Sequence, residues 1–180
     1  MKSAVFLDRD GVLVEPVVRA GRPCPPSSLA DLRIYSDATA ALHRLRAIGM
    51  PLIVVTNQPD VARGTQKLSD VQAIHSHLHH LLPLDDILAC FHDDIDNCLC
   101  RKPKPGLLLE GAARHGADPR RSFMIGDRWR DVAAGKAAGC RTIWIDRGYS
   151  EPQPDTPDVQ TSSLMEAVDW ILQAMVLSGV

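Results

Sequence analysis

The sequence predicts an α/β fold, a three-layer Rossmann-like parallel sheet with helices on both of its faces. Three observations predict it. Short apolar segments that fit buried strands alternate along the chain with longer segments of helical period. The strand candidates are continuous apolar runs, as expected where helices cover both faces of a sheet. Polar residues follow directly after the strand candidates, and such folds bind their ligands at the carboxyl ends of the strands.

The composition is that of an ordinary globular domain, and it argues against several classes of protein. Of the 180 residues, 45% are hydrophobic and 23% are charged, and the formal net charge is −2. That length suits a single domain, 1–180, with a sizeable core. A nucleic-acid-binding protein usually carries a basic excess, so we expect no nucleic-acid partner. No run approaches the ~20 apolar residues of a membrane span, and the N-terminus lacks the apolar segment of a signal peptide, so we expect a cytoplasmic monomer with no membrane partner.

The predicted strands are short apolar runs, each followed by polar residues. They span 4–7, 52–55, 87–89, 123–125 and 142–145. The first ends at Asp8 and the second at Thr56. Residues 14–35 contain four prolines and show neither a helical nor a strand period. We therefore predict a long loop there, carried over the strand ends, with a brief extended piece at 32–35.

The predicted helices combine apolar side chains at intervals of three and four residues with capping or terminating residues at their ends. They span 38–48, 71–82, 107–115, 131–138 and 164–175. Ser36 and Asp37 are N-cap candidates for the first helix, and Gly49 ends it. The segments 69–72 and 163–166 each fit a capping box at the start of the second and the last helix. A proline-spaced stretch leads from the fifth strand to the last helix.

Acids, a hydroxyl, an amide and cations stand at the strand ends. They are Asp8 and Asp10 after the first strand, Thr56 and Asn57 after the second, Arg101 and Lys102 before the third helix, and Asp127 with Asp131 after the fourth strand. Phosphoryl transfer from a monoester needs a carboxylate nucleophile, a second acid, donors for the phosphoryl oxygens and oxygen ligands for Mg²⁺. The alternative is a set of solvated loop ends in a fold without catalysis.

A second group of residues has the spacing of a metal site. Cys90, His92, Cys98 and Cys100 supply three thiolates and one imidazole, which match a closed tetrahedral structural Zn²⁺ site. The loop 90–100 is too short and too polar to pack a core, so a metal would supply its order. The loop leads directly into Arg101 and Lys102, so bound zinc would fix the position of the phosphate-holding cation. The alternative is a set of reduced thiols without metal.

Four histidines cluster on the second predicted helix, at positions 75, 77, 79 and 80. His75 and His79 lie one helical turn apart, a spacing that can hold a metal ion. Both fall between the apolar positions of the helix. We therefore favour a solvated helix face over a metal site.

Four motifs in this order resemble those of the haloacid dehalogenase (HAD) superfamily of phosphatases. They are F-L-D-R-D-G-V-L, V-V-T-N-Q, R-K-P-K-P-G and I-G-D-R-W-R-D. The resemblance covers roughly residues 3–150 and implies a HAD fold with phosphatase activity. The spacing between the first two motifs leaves no room for a separate cap domain. We therefore expect a capless fold with an open site, walled by loops 14–35 and 90–100, in which Arg19, Arg22 or nearby loop groups select the substrate.

The resemblance also implies a role for each residue of the site. Asp8 would be the nucleophile that becomes an aspartyl-phosphate, and Asp10 the general acid that later activates water. Thr56 and Lys102 would hold the phosphoryl oxygens, and Asp131 would orient Lys102 or support the metal shell. The Mg²⁺ ligands would be Asp8, Asp127 and the main-chain carbonyl of Asp10.

The cysteine-containing loop narrows the resemblance to a branch of the superfamily that acts on heptose bisphosphates or on histidinol phosphate. The R-K-P-K-P-G and T-N-Q-x-x-x-A-R-G segments favour the heptose side. That side implies a phosphorylated sugar as the small-molecule partner, D-glycero-D-manno-heptose 1,7-bisphosphate losing its 7-phosphate, with substrate contacts from Asn57, Arg101 and Arg128. Histidinol phosphate is the nearest alternative substrate. A polynucleotide end phosphatase and a catalytically inactive zinc-stabilised binding protein are further alternatives.

Overall fold

The computed structural model describes residues 2–19 and 22–177. Its strands are β1 (Val5–Leu7), β2 (Val17–Arg19), β3 (Arg22–Cys24), β4 (Leu52–Asn57), β5 (Asp86–Cys90), β6 (Phe123–Gly126), β7 (Arg141–Ile145) and β8 (Val159–Thr161). Its α-helices are α1 (Ala38–Ala47), α2 (Leu68–Leu81), α3 (Gly106–His115), α4 (Trp129–Ala138) and α5 (Leu164–Leu177). None of these helices is long and apolar enough to cross a membrane.

Six strands form one parallel sheet in the order β5-β4-β1-β6-β7-β8. The first strand lies between β4 and β6, and its Leu7 is in register with Val54 on one side and Ile125 on the other. The residues that follow these three strands therefore meet at the carboxyl end of the sheet. This register brings the acid-bearing segments together, and the predicted α/β class is confirmed.

Helices cover both faces of the sheet because the side chains of its strands alternate. In β1, Val5 and Leu7 pack into a large apolar cluster with residues of α1, α2 and α5. Phe6 faces the opposite side and packs in a smaller cluster with residues of α3 and α4. The predicted three-layer arrangement is therefore confirmed. Between Asp10 and Thr56, the described residues add only the β2–β3 hairpin, α1 and the strand itself, in agreement with a capless fold.

The prediction of a long loop over 14–35 is wrong in one respect, since β2 and β3 form an antiparallel hairpin. Each strand has three residues, and the hairpin includes Pro23, so neither shows a readable alternation. Val14 and Ile34 form a single antiparallel bridge, which agrees with the extended piece predicted at 32–35. The hairpin contains Arg19 and Arg22, but their side chains lie outside the described part of the chain.

The last strand was also not predicted. Val159–Thr161 pairs in parallel with β7 at the edge of the sheet. Its first and last residues are partly buried and Gln160 is exposed, so the strand lacks the apolar run that marked the other strands. An edge strand needs fewer apolar residues because one of its sides faces solvent.

The predicted caps of three helices are corrected. Helix α2 begins after Lys67 without a side-chain cap, so the capping box at 69–72 is wrong. At α5 the predicted box holds only in part: the Ser163 hydroxyl accepts from the Glu166 amide at 3.2 Å, but the Glu166 carboxylate accepts from the Ser162 amide. Asp37 precedes α1 but does not cap it. Its Oδ2 instead accepts from the Met165 amide in the first turn of α5, at 3.1 Å.

Asp37→Ala should destabilise the protein by about 0.5–2 kcal/mol, because it leaves an amide of the first turn of α5 without its acceptor. Asp37→Asn keeps an acceptor oxygen and should stay close to wild type. Denaturant unfolding monitored by circular dichroism measures both. If the two variants lost equal stability, or neither lost any, this capping contact would not contribute to the free energy of unfolding.

Candidate active site

The carboxyl end of β1 is shaped so that another acid can approach it closely. Gly11, just after Asp10, has φ +86°, a conformation that side chains rarely adopt. A Cβ on Gly11 would lie 1.7 Å from Oδ2 of Asp127. The glycine is therefore required both by the turn and by the approach of Asp127 to the end of β1.

Three carboxylates converge at this carboxyl end of the sheet. Asp8, Asp127 and Asp131 place carboxylate oxygens within 4.8 Å of one another, and all three residues are buried. Oδ1 of Asp127 is buried without a hydrogen-bond partner. Burial, followed by the charges of Asp8 and Asp131, raises the pKa of Asp127 well above its ordinary value. A hard divalent cation such as Mg²⁺ fits these oxygen donors and would satisfy the free oxygen.

One buried ammonium group joins two of these acids. Nζ of Lys102 lies 2.8 Å from Asp8 Oδ1 and 2.6 Å from Asp131 Oδ1, and it donates to the Val55 carbonyl at 2.8 Å. Burial opposes the charge, but Asp131 and Asp8 outweigh it and raise the pKa of Lys102 above its ordinary value. Lys102 is therefore charged and fully engaged. Oδ2 of Asp131 also accepts from the Arg128 amide at 3.0 Å, which fixes the carboxylate that orients the lysine.

Asn57 holds the backbone of the same lysine. Its Nδ2 donates to the Lys102 carbonyl at 3.0 Å, and its Oδ1 accepts from the Lys102 amide at 3.1 Å. Asn57 was predicted to contact substrate. It lines the cavity described below, and one N–H and the oxygen of its amide bond to the backbone of Lys102.

The second acid of the first motif has a separate set of partners. Both oxygens of Asp10 accept from Arg9, at 3.0 Å from Nε and 2.9 Å from Nη2. Nε2 of Gln58 lies 2.9 Å from Asp10 Oδ2 and 2.9 Å from Oγ1 of Thr56. Gln58 thus links the two residues, a role that was not predicted from the V-V-T-N-Q motif. Arg9 was also missed, and its only signal was a charged residue between two acids at the end of a buried strand.

The prediction of a solvated helix face is wrong for His75. Its Nε2 lies 3.0 Å from Nη1 of Arg9, and the residue is partly buried. Burial and then the Arg9 charge lower the pKa of His75 to about 4. His79 is exposed, as predicted. The two histidines therefore have different surroundings and do not form a metal site together.

An open cavity of about 240 Å³ lies at these strand ends. Its lining includes Asp8, Asp10, Asn57, Lys102, Asp127 and Asp131 from the predicted site, Pro23 and Cys24 from the hairpin, and Arg63, Arg128, Arg130 and Tyr149 from the surrounding loops and α4. Burial and the Asp127 carboxylate raise the pKa of Tyr149, so its hydroxyl stays protonated beside the acids. The hairpin forms one wall, as predicted for the segment that contains it.

The arginines predicted to contact substrate are placed differently from each other. Arg128 lines the cavity, and its Nε donates to Glu151 at 2.8 Å. Arg101 is not among the cavity-lining residues, since its Nε donates to Asp94 at 2.8 Å and its Nη1 to the His92 carbonyl. The structure therefore brings Arg128 to the site but not Arg101.

Two further arginines at the cavity were not predicted from the sequence. Arg63 donates to both oxygens of Asp93 at 2.7 and 2.6 Å, and Arg130 donates to Asp94 at 2.9 Å. Both appear within the quoted motifs, in A-R-G and in D-R-W-R-D, but no role was given to either. Two acids of the loop that follows β5 therefore hold two of the three described arginines that line the cavity, and Glu151 holds the third.

The four predicted zinc ligands come together in that loop. The sulfur atoms of Cys90, Cys98 and Cys100 are 3.2–3.7 Å apart, and Nδ1 of His92 is 3.6 Å from the first and 3.3 Å from the last. A tetrahedron with Zn–S bonds of about 2.3 Å has edges of about 3.8 Å. The donor set and its spacing therefore fit a closed zinc site.

Comparison with known proteins agrees with this geometry. The HAD-hydrolase-like family model matches residues 99–167. A D-glycero-beta-D-manno-heptose-1,7-bisphosphate 7-phosphatase from Helicobacter pylori is 33% identical, covering 93% of this chain and 96% of the relative. A D-glycero-alpha-D-manno-heptose-1,7-bisphosphate 7-phosphatase from Mycobacterium tuberculosis is 35% identical, covering 78% of each chain.

A solved structure shows the same fold. The D,D-heptose 1,7-bisphosphate phosphatase from B. bronchiseptica, complexed with magnesium and phosphate, superposes with a TM-score of 0.78 at 26% identity, over 96% of this chain and 99% of that one. The Helicobacter pylori relative and this solved structure align over nearly the whole length of this chain, and its acids and lysine gather at the carboxyl ends of the strands. The chain is a phosphatase of the HAD superfamily, and it belongs to the same family as these heptose-bisphosphate phosphatases.

Proposed function

We propose that the protein removes the 7-phosphate from D-glycero-D-manno-heptose 1,7-bisphosphate, in a Mg²⁺-dependent reaction that passes through an aspartyl-phosphate at Asp8. The observation that carries the mechanism is the buried cluster of Asp8, Asp127 and Asp131 around one lysine, at an open cavity. The names of the relatives support the substrate. These names include both the alpha and the beta anomer of the sugar, so we propose no preference between the anomers.

In the first step, Asp8 attacks phosphorus. We assign Oδ2 as the attacking atom because Oδ1 is held by Lys102. The bond from phosphorus to the sugar oxygen breaks, and Asp10 gives its proton to that oxygen. When bound by Asp8, Asp127 and the main-chain carbonyl of Asp10, Mg²⁺ would offset the repulsion between the carboxylate and the phosphate dianion.

In the second step, water replaces Asp8 at phosphorus. Asp10 takes a proton from the water as its oxygen bonds to phosphorus, and the bond to Asp8 breaks with its electron pair returning to the carboxylate. In both steps Thr56 donates to a phosphoryl oxygen, and Lys102 offsets the phosphoryl charge by exchanging one of its three present acceptors for a phosphoryl oxygen. Since Oγ1 of Thr56 accepts from Gln58, its own proton remains available for the phosphoryl group.

The charge at the cavity rim favours a bisphosphate over the nearest alternative. Arg63, Arg128 and Arg130 line the cavity, and each is paired with an acid that holds its position. A second phosphate on the substrate would find guanidinium donors there. Histidinol phosphate instead carries an ammonium group, which these cations would repel. The role predicted for Arg19 and Arg22 stays a prediction.

We also propose that the four-residue Cys and His cluster binds a structural Zn²⁺. Cys100 is followed by Arg101 and Lys102, so order in the loop is passed directly to the catalytic lysine. The loop acids Asp93 and Asp94 extend that order to the rim arginines. A single domain over 1–180, a cytoplasmic location, a monomeric state and the absence of nucleic-acid or membrane partners remain predictions. Phosphatase membership argues against the catalytically inactive alternative.

Wild-type protein should release one phosphate from each heptose bisphosphate, with a kcat/KM at least about 10-fold above that for histidinol phosphate. Asp8→Asn should lower the rate by about 1,000-fold or more because it removes the nucleophile. Phosphate release with Mg²⁺ measures both, and Asp155→Asn, at an exposed acid that does not line the cavity, is the control. Faster turnover of histidinol phosphate would contradict the substrate, and full activity in Asp8→Asn would contradict the mechanism.

Mg²⁺ should raise the melting temperature more at about pH 7.5 than at about pH 5. The raised pKa of Asp127 means that the folded protein keeps a proton that the unfolded chain releases. Without Mg²⁺, the stability due to Asp127 is therefore present at low pH and lost as pH rises from the ordinary carboxyl pKa through the raised one. Asp127→Asn should be more stable than wild type without Mg²⁺ and should not respond to the ion. An equal response in wild type and variant would contradict this assignment.

Cys98→Ser should lower the zinc content from one equivalent per chain, reduce the melting temperature and reduce kcat/KM. Cys140→Ala changes a buried thiol outside the loop and should keep its zinc. Elemental analysis and thermal unfolding on the same samples provide the measurement. Full zinc content and unchanged activity in Cys98→Ser would rule out the site.

A further inference from the structure

Arg9 is a buried cation that the proposed reaction does not use directly. Its residue exposure is 0%, and the carboxylate it contacts is that of Asp10, through two hydrogen bonds. Removing a guanidinium group from water is costly, so a buried arginine depends on well-aligned partners. Its planar donors hold both oxygens of one carboxylate, an arrangement that fixes the orientation of the carboxylate as well as its position.

His75 connects this arginine to α2. Its Nε2 lies 3.0 Å from Arg9 Nη1. Burial and the Arg9 charge keep the imidazole neutral near neutral pH, since they lower its pKa to about 4. A neutral ring has one nitrogen with a free lone pair, and Arg9 can only donate, so Nε2 is the acceptor in this contact. A metal ion at that nitrogen would have to displace the guanidinium group.

We propose that Arg9 and His75 are positioning residues for Asp10, with His75 holding Arg9 and Arg9 holding the carboxylate that transfers protons. This inference rests on the proposed function, because it takes Asp10 to be the general acid and base. The chain of contacts runs from α2 through two side chains to the cavity. Neither Arg9 nor His75 lines that cavity, so both act through Asp10.

The position of Asp10 explains why such support is needed. Its side chain is 20% exposed at the cavity and is followed by Gly11, whose backbone is in the left-handed region. Proton transfer requires a donor within about 2.6–3.2 Å of the leaving oxygen. A carboxylate free to rotate would spend less time in that geometry. The Gln58 contact to Oδ2 gives a third restraint, but Gln58 is shared with Thr56.

Leaving-group dependence separates this role from a purely structural one. The sugar oxygen needs a proton as its bond to phosphorus breaks, whereas p-nitrophenolate leaves without one. The ratio kcat/KM includes the step in which the leaving group departs, so it should be measured for heptose bisphosphate and for p-nitrophenyl phosphate. Arg9→Met should lower the first value by about 100-fold and His75→Ala by about 10-fold, with losses below about 3-fold for the second.

Matched variants complete the test. His79→Ala, on the exposed side of the same helix, should behave as wild type with both esters. His75→Gln restores an acceptor oxygen for Arg9 and should recover most of the loss seen in His75→Ala. Thermal unfolding identifies any variant that does not fold, and the His75 variants carry the test if Arg9→Met is one of them.

Each result has a defined meaning. A selective loss on the sugar phosphate that parallels Asp10→Asn supports the inference. Equal losses on both esters, or no loss on either, overturn it and leave the proposed function intact, provided that Asp10→Asn itself is selective. If Asp10→Asn also loses both activities equally, Asp10 is not the general acid, and the inference falls together with that part of the proposed function.

Discussion

The constraint on which the structure depends is the balance of charge at the carboxyl end of β1. Three buried carboxylates, those of Asp8, Asp127 and Asp131, meet there with the ammonium group of one lysine. Lys102 contacts two of them, and a buried oxygen of Asp127 is left without a hydrogen bond. Buried like charges at this separation repel strongly unless a cation lies among them. The arrangement is therefore suited to bind a divalent cation together with the phosphate dianion that the cation attracts.

Much of the surrounding structure keeps this cluster assembled. Parallel pairing of β1 with β4 and β6 aligns the strand ends, and Gly11 leaves room for the approach of Asp127. Asn57 fixes the backbone of the lysine, while the Cys and His loop that precedes it would be fixed by zinc. The same loop, through its acids, holds arginines on the cavity rim. The buried lysine and two of the cavity arginines, Arg63 and Arg130, are thus connected to this loop.

The sequence carried enough information for the fold class, the order of the helices and the convergence of the acids, because strand ends in a parallel sheet must meet at one edge. It could not show which side chains pair with one another. His75 was placed on a solvated face because only its spacing was visible, and its partner Arg9 lies 66 residues away. Arg101 was expected at the substrate, but Asp94 holds it within the loop. The hairpin was not predicted because its short strands include a proline and lie outside the main sheet, and β8 was not predicted because it lacks a buried apolar run.

The most direct test of the charge balance is a crystal structure determined with Mg²⁺ and trifluoroberyllate, a mimic of the phosphoryl group. We expect beryllium bonded to a carboxylate oxygen of Asp8 and a single cation in contact with both Asp8 and Asp127. A cation bound without Asp127, or beryllium attached to any other residue, would contradict it.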